Sequence, residues 1–288
     1  MQRRVIALGC FDGVHLGHAA LLSCVRDQAI ELGATAAVMT FDVHPSVYLR
    51  GQSVPLLTDN AERERRMKAL GIEEVLLLRF DAVRQMPWRD FAEQMLFGQY
   101  GAVALVCGED FRFGAGGEGT AEKLRQFCTS RGARCTVIGK VAVDGEIVSS
   151  TAIRTLIQNG EMEKAAKMLG VPHTLTGTVQ VGNRLGHTLG TPTANVPFAE
   201  SSVVPAFGVY AAEVTAEGQT YKAVVNVGVH PTVGALGKPI AEAWLQNFNG
   251  DLYGKPIRIA FLRRLRGERK FASVEELQKQ MLKDAEML

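Results

Sequence analysis

Cysteine is scarce in this chain. The 288 residues hold five, at positions 10, 24, 107, 128 and 135, with neither the paired spacing of a zinc motif nor the density of a disulfide framework. So sparse and odd a set fits a reducing compartment. Long apolar runs are missing too, and the N-terminus lacks the apolar core of a secretory signal. A soluble, cytoplasmic protein with no membrane partner is therefore expected. There is no surplus of one charge: 32 Lys and Arg against 30 Asp and Glu leave +2, far below the basic excess of a nucleic-acid binder. No internal repeat or low-complexity tract interrupts the chain. The rest is ordinary globular composition, 47% hydrophobic and 22% charged, and the length allows about two domains.

The first half alternates between two periodicities. Buried strands are expected at 5–8, 36–41, 75–78, 103–107 and 136–138, and helices at 18–32, 60–70 and 88–100. Such alternation predicts a doubly wound parallel sheet with helices on both faces. Two short helices follow at 152–159 and 162–169, each ending near a glycine, Gly160 and Gly170, that can serve as C-cap. After Gly170-Val171-Pro172 the pattern changes to short β-rich stretches at 176–181, 208–215, 222–227 and 256–262, which predict a small antiparallel β-barrel. A last helix opens at Ser273-Val274-Glu275-Glu276, a capping box, with Leu277, Met281 and Ala285 as its apolar stripe. Two domains are expected, 1–172 and 173–288.

The most informative stretch is Gly9-Cys10-Phe11-Asp12-Gly13-Val14-His15-Leu16-Gly17-His18, between the first strand and the first helix. A glycine-bearing turn entering a helix exposes backbone N–H groups at the positive end of the helix dipole, a setting for phosphate. His15 and His18 lie one turn apart, and Gly17 leaves room for close approach. A zinc site lacks a third ligand beyond Cys10. A second cluster, Ser149-Ser150-Thr151-Ala152-Ile153-Arg154, sets hydroxyls and an arginine at another helix start. Taken alone it reads equally well as a plain N-cap or as a phosphate-facing one.

These segments resemble the His-x-Gly-His signature of nucleotidylyltransferases and the Ser-Ser-Thr-x-Ile-Arg motif of their FMN adenylyltransferase branch. Thr40-Phe41-Asp42-Val43-His44-Pro45, with Val43 in place of a proline, and Gly108-Glu109-Asp110-Phe111-Arg112-Phe113-Gly114 resemble two further motifs of that family. Both follow strands, where doubly wound sheets bind ligands. The resemblance implies ATP contacts from Gly9, Phe11, Gly13, His15, Gly17, His18, Ser150, Thr151 and Arg154, with His15 and His18 catalytic. For flavin it implies Asp12, Asp42, His44, Asp110 and Arg112. The glycine-rich run 114–119 reads either as a flap or as a surface loop.

In the second half, Thr191-Pro192-Thr193-Ala194-Asn195 reads as a proline-stiffened turn offering oxygens to a hard cation, or as an ordinary β-turn. Upstream, Gly182-Asn183-Arg184-Leu185-Gly186 is a loop able to approach phosphate. Together they resemble the glycine loop and Pro-Thr-Ala-Asn motif of riboflavin kinases. That resemblance implies ATP contacts from Gly182, Gly186, His187, Thr193 and Asn195, Mg²⁺ on Thr193 and Asn195, Glu242 as catalytic base, and flavin contacts from Asn226, Arg266 and Glu268. His187, Thr191, Asn247 and Asn249 depart from the usual pattern without removing any of those groups. The order of modules resembles the bacterial bifunctional riboflavin kinase/FMN adenylyltransferase family, also called FAD synthetases. It implies two ATP-dependent steps, riboflavin to FMN and FMN to FAD with release of pyrophosphate. The alternatives are an adenylyltransferase whose second module binds flavin with little or no kinase activity, and a non-catalytic flavin or nucleotide sensor. Oligomeric state is not readable from the sequence.

Overall fold

The computed structural model describes residues 2–180, 193–229, 237–269 and 271–288, without the side chains of Val274, Glu275, Leu277 and Gln278. Contacts divide the chain into two compact units, Met1–Val54 with Asn60–Ser149, and Pro55–Asp59 with Ser150–Leu288.

The first unit is built on a parallel sheet of five strands: β1 (Arg4–Leu8), β2 (Thr35–Phe41), β3 (Glu74–Leu78), β4 (Ala102–Gly108) and β7 (Arg134–Ile138), in the order β3-β2-β1-β4-β7. The central strand is apolar on both sides because both faces are covered. Ile6 and Leu8 join a core with Leu96, Leu105 and Leu124 on one face. Val5 and Ala7 join Leu22, Val25 and Met67 on the other. Helices α1 (Leu16–Leu32) and α3 (Asn60–Ala69) supply residues to the second core; α6 (Ala121–Ser130) supplies the first. Between α1 and α3 lies the short helix α2 (Ser46–Arg50), and α4 (Phe80–Val83) follows β3. The order reverses at β1, whose neighbours are β2 on one side and β4 on the other. The carboxyl ends of those three strands therefore share one edge, at the switch point where such sheets bind ligands.

The expected helix at 88–100 is one turn of α-helix, α5 (Trp88–Asp90), continued as a π-helix over Phe91–Gln99. Its buried residues, Phe91, Ala92 and Leu96, are spaced by four and five, which suits the wider turn. Helix α6 was not anticipated, although Ala121, Leu124 and Cys128 line its buried face at helical spacing. The glycine-rich run is a turn closing a two-residue hairpin, β5 (Arg112–Phe113) with β6 (Gly119–Thr120). Gly114, at φ 73°, lies against the Trp88 backbone, where a Cβ would come within 2.6 Å of its Cα. A second small hairpin pairs β8 (Ala142–Val143) with β9 (Glu146–Ile147).

The second unit opens with helices α7 (Ser150–Gln158) and α8 (Met162–Leu169), and Gly170 ends α8 with a left-handed cap donating to Ala166 O at 2.8 Å. Six antiparallel strands follow among the described residues: β10 (His173–Thr178), β11 (Thr193–Pro197), β12 (Gly208–Ala216), β13 (Gln219–Val229), β14 (Pro239–Leu245) and β15 (Pro256–Arg266). Their order is β10-β15-β12-β13-β14-β11. The sheet curls until its two edges meet in a single bridge, with Gln180 N donating to Asn195 O at 2.8 Å. Gly177 allows this curl, since a Cβ there would fall 2.5 Å from Val196 Cγ1. Strands β11 and β14 were not expected. Short alanine-bearing segments such as Ala241 and Ala243 carry little β signal on their own. The turn expected around Thr193 and Asn195 is corrected: both lie in β11, because every residue from Thr193 to Pro197 pairs with β14.

The last helix, α9 (Val274–Glu286), starts where its capping residues indicate. Ser273 Oγ accepts from Glu276 N at 3.3 Å, but Glu276 reaches back one residue further than a capping box requires, to Ala272 N. Met281 and Ala285 are half-buried, and Leu277 lies among the side chains not described.

Candidate functional site

The loop after β1 is held in an uncommon backbone shape. Phe11, Gly13 and Val14 have φ of 53°, 82° and 45°, a left-handed conformation that is strained for phenylalanine and valine. Burial of the Phe11 and Val14 side chains in the second core holds them there. The loop delivers His15 as N-cap of α1, its Nδ1 accepting from His18 N at 3.3 Å. That bond leaves the proton of a neutral His15 on Nε2. The two imidazoles stack with centroids 3.7 Å apart and planes 13° from parallel. A Cβ on Gly17 would lie 3.1 Å from His15 Cε1, so the glycine makes space for the ring itself.

His18 is unusual. Its Nδ1 is buried without a hydrogen-bond partner. Burial first, then the charges of His15 and Arg63, hold its pKa well below the ordinary 6.5. A neutral ring beside exposed helix N–H groups can donate to an anion and gain a proton when one docks. In the same loop, burial pushes the half-buried Cys10 thiol up to about 11, which keeps it protonated and unreactive.

The loops after β2 and β4 reach the same sheet edge. Asp42 is exposed, and its Oδ1 accepts from Val43 N at 2.8 Å. His44 Nδ1 meets Ser46 Oγ at 2.8 Å. Beside them, the Phe80 ring lies edge-on to Phe41 at 5.1 Å and tilted against Tyr48 at 5.8 Å, with Val43 and Leu49 exposed nearby in sequence. Asp110 and Arg112 follow β4 and are both exposed; a Cβ on Gly108 would lie 3.2 Å from Asp110 Oδ1. The topology thus gathers Gly9, Phe11, Asp12, Gly13, His15, Gly17, His18, Asp42, His44 and Asp110 along one edge. Ser150, Thr151 and Arg154 stand at the start of α7 in the second unit, where Arg154 Nε donates to Pro55 O at 2.6 Å.

Three residues of the first unit escape sequence reasoning. Glu62, Arg63 and Arg66 on α3 are buried. Arg66 donates to Gly13 O at 3.0 Å and to Glu62 at 2.8 Å. Arg63 donates to Cys10 O at 3.1 Å, to Phe41 O at 2.6 Å and to Asn60 Oδ1 at 2.8 Å. A run of charges on a helix reads as a solvated face; only the fold turns this one inward.

In the second unit, three residues expected from separate motifs form one row. Asn195 on β11 is directly opposite Glu242 on β14, and Glu242 is directly opposite Asn226 on β13. Opposed residues of an antiparallel pair present their side chains to one face, with Cβ atoms about 4.5–5.5 Å apart. Thr193 lies two residues from Asn195 on the same face. Asn195 is buried, and its Oδ1 has no hydrogen-bond partner. Gly228 leaves space for the Glu268 carboxylate, which a Cβ there would strike, beside the Asn226 amide. Arg266, expected at the flavin, pairs through Nη2 with Asp284 Oδ2 of α9 at 2.8 Å. Gly182, Gly186 and His187 lie outside the described residues.

Comparison with known proteins matches both halves. The FAD synthetase family model covers residues 1–152 and the riboflavin kinase family model covers 169–288. The bifunctional riboflavin kinase/FMN adenylyltransferase of Bacillus subtilis is 37% identical, over 98% of this chain and 90% of that protein. That of Pseudomonas fluorescens is 35% identical, over 95% and 88%. That of Escherichia coli K12 is 34% identical, over 97% and 90%. Among solved structures, one described as a macrolide-efflux protein from Streptococcus pneumoniae aligns with a TM-score of 0.87 at 32% identity, covering 99% of this chain and 93% of that one. No helix among the described residues is long and apolar enough to cross a membrane.

Proposed function

Since the chain belongs to the bifunctional riboflavin kinase/FMN adenylyltransferase family, with both family models matched, we propose how its residues divide two ATP-dependent reactions. Phosphorylation of riboflavin is assigned to residues 173–288 and adenylylation of FMN to residues 1–172. A second module that only binds flavin is not favoured, because the relatives over nearly the full length carry both activities in their names.

In the kinase, the row Asn195–Glu242–Asn226 is the single observation that carries the reading. Glu242 takes the proton of the riboflavin 5′-hydroxyl as its oxygen attacks the γ-phosphorus of ATP; the bond from that phosphorus to the β-phosphate oxygen breaks, and ADP leaves. Asn226 and Glu268 hold the flavin on one side of the carboxylate. Thr193 and Asn195 would hold Mg²⁺, and the buried, unpartnered Oδ1 of Asn195 fits a hard cation. That ion, when bound, neutralises phosphate charge. Arg266, assigned to the flavin on its motif, also anchors α9 through Asp284. The ATP contacts of Gly182, Gly186 and His187 rest on motif resemblance.

In the adenylyltransferase, an FMN phosphate oxygen attacks the α-phosphorus of ATP, and the bond to the β-phosphate oxygen breaks to release pyrophosphate. The α1 N-terminus, His15 and His18 donate to the phosphates and stabilise the charge that builds on them. Gly9 and Gly17 make room for the Phe11 and His15 rings, and Gly9, Phe11, Gly13 and Gly17 are assigned to ATP on their motif. Ser150, Thr151 and Arg154 are assigned to ATP on their motif. Asp12, Asp42, His44, Asp110 and Arg112 are assigned to the flavin substrate, with the Phe41, Tyr48 and Phe80 rings as apolar surface beside Asp42.

The test is separation of the two activities. His18→Ala should stop FAD formation while FMN accumulates from riboflavin and ATP. Glu242→Ala should block FMN formation yet still convert supplied FMN to FAD. Chromatography of the flavins reads both, and a folded variant that loses both activities together would overturn the assignment.

A further inference from the structure

The Arg63 side chain has no assigned part in either reaction, yet it is buried and makes three hydrogen bonds. It is 7% exposed and rises from α3 to the sheet edge. One arm of its fork, Nη1, donates to Cys10 O, inside the signature loop after β1. The other, Nη2, donates to Phe41 O, the last residue of β2, immediately before Asp42. Nη2 also reaches Asn60 Oδ1, and the Asn60 amide donates in turn to Asp42 O at 3.0 Å. All of these partners are neutral oxygens. Asp12, Asp42 and Cys10 act on the guanidinium only through space, while burial works against its charge.

Keeping a guanidinium buried without a direct carboxylate partner is expensive, and an apolar residue would fill the same space at lower free energy. A lysine ammonium carries its donors on one atom, whereas the planar arginine fork presents two separate nitrogens, one to each carbonyl on the two motif loops. We propose that Arg63 is a positioning residue for adenylyl transfer, fixing the loop that carries Asp12, His15 and His18 relative to the loop that carries Asp42 and His44. The inference rests on assigning the phosphates of ATP to His15 and His18 and the flavin chiefly to Asp42 and His44. Each substrate then keeps its own holding groups when Arg63 is altered; what is lost is the alignment between them. In-line transfer is sensitive to such alignment, and an error of about 1 Å costs about 100-fold in rate.

The full-length enzyme tests this, with its kinase step as internal control. Arg63→Lys keeps the charge and loses the fork. Its kcat for FAD formation from FMN should fall about 100-fold. KM for FMN and for ATP should stay within about threefold and riboflavin phosphorylation within about twofold of wild type, well inside that effect. The stoichiometry of a non-hydrolysable ATP analogue, by calorimetry, separates misalignment from loss of folded sites: a merely structural defect lowers it, and misalignment does not. If Arg63→Lys loses a nucleotide site, the surface change Asn60→Ala decides. It removes one brace, and should lower the same kcat about tenfold with both KM values kept. Arg63→Lys with kcat within twofold of wild type, or a rise in KM at unchanged kcat in whichever variant decides, overturns the inference. A wild-type enzyme that makes no FAD from FMN would instead overturn the assignment on which it rests.

Discussion

His18 combines a buried, unpartnered Nδ1 with a pKa pressed well below 6.5, and this couples folding to pH. Below about 6.5 the unfolded chain binds a proton at this imidazole that the folded chain refuses. The stabilising contribution is therefore complete above that pH and declines as pH falls through the interval down to the depressed folded value. The midpoint of thermal unfolding of the first unit should drop more steeply from pH 7 to 5 in wild type than in His18→Gln. Calorimetric scans across that range measure it, and parallel curves would mean that His18 titrates as an ordinary histidine. At this scale the sequence was most informative about residues on one motif: the His15–His18 spacing was legible, but the stacking of the rings depends on the N-cap bond from His15. Arg63 and Arg66 were not legible, because nothing local distinguishes an inward arginine from its neighbours Glu64 and Arg65.

Among the elements, α9 is held at both ends by separable interactions. Ser273 caps its start, and near its end Asp284, 2% exposed, receives Arg266 and the Gln280 amide. Ser273→Ala should cost the second unit about 1 kcal/mol. Asp284→Ala should cost about 2 kcal/mol, more than the cap, because it strands a half-buried guanidinium, whose partial exposure moderates the loss. Urea unfolding of the two variants gives the comparison, and equal midpoints would deny the ion pair its structural part. Elements whose own side chains pay for their burial were readable from sequence: β1, β2, β4 and α1 all stand within a few residues of expectation. Those defined by partners were not. Strand β11 exists because β14 pairs with it, and the π-helical turn at Phe91–Gln99 exists because the sheet beneath selects Phe91, Ala92 and Leu96.

For the molecule as a whole, the change in periodicity after Gly170 precedes the antiparallel strands, while the compact units divide earlier, at Ser150. Helices α7 and α8 belong to the second unit, with Ile153, Ile157, Ala165 and Leu169 buried and Ala206 N donating to Ile157 O at 3.3 Å. A fragment beginning at Ser150 keeps these helices, though not Pro55–Asp59, and should still fold and phosphorylate riboflavin. One beginning at Thr174 lacks that buried face and should unfold at lower temperature or aggregate. Circular-dichroism melts with an FMN-formation assay measure both, and equal stability would show the helices to be dispensable. The segment Pro55–Asp59 extends the same dependence along the chain: Leu56 N donates to Ser201 O at 2.6 Å, and Val203 N donates to Leu56 O at 2.9 Å. Ribosomes make proteins from the N-terminus, so Leu56 emerges long before the backbone it pairs with and must wait for its seat while the chain grows. A gene split between the two activities would leave these residues on the wrong polypeptide, which makes fission of this enzyme into two independent proteins harder than its division into two reactions implies.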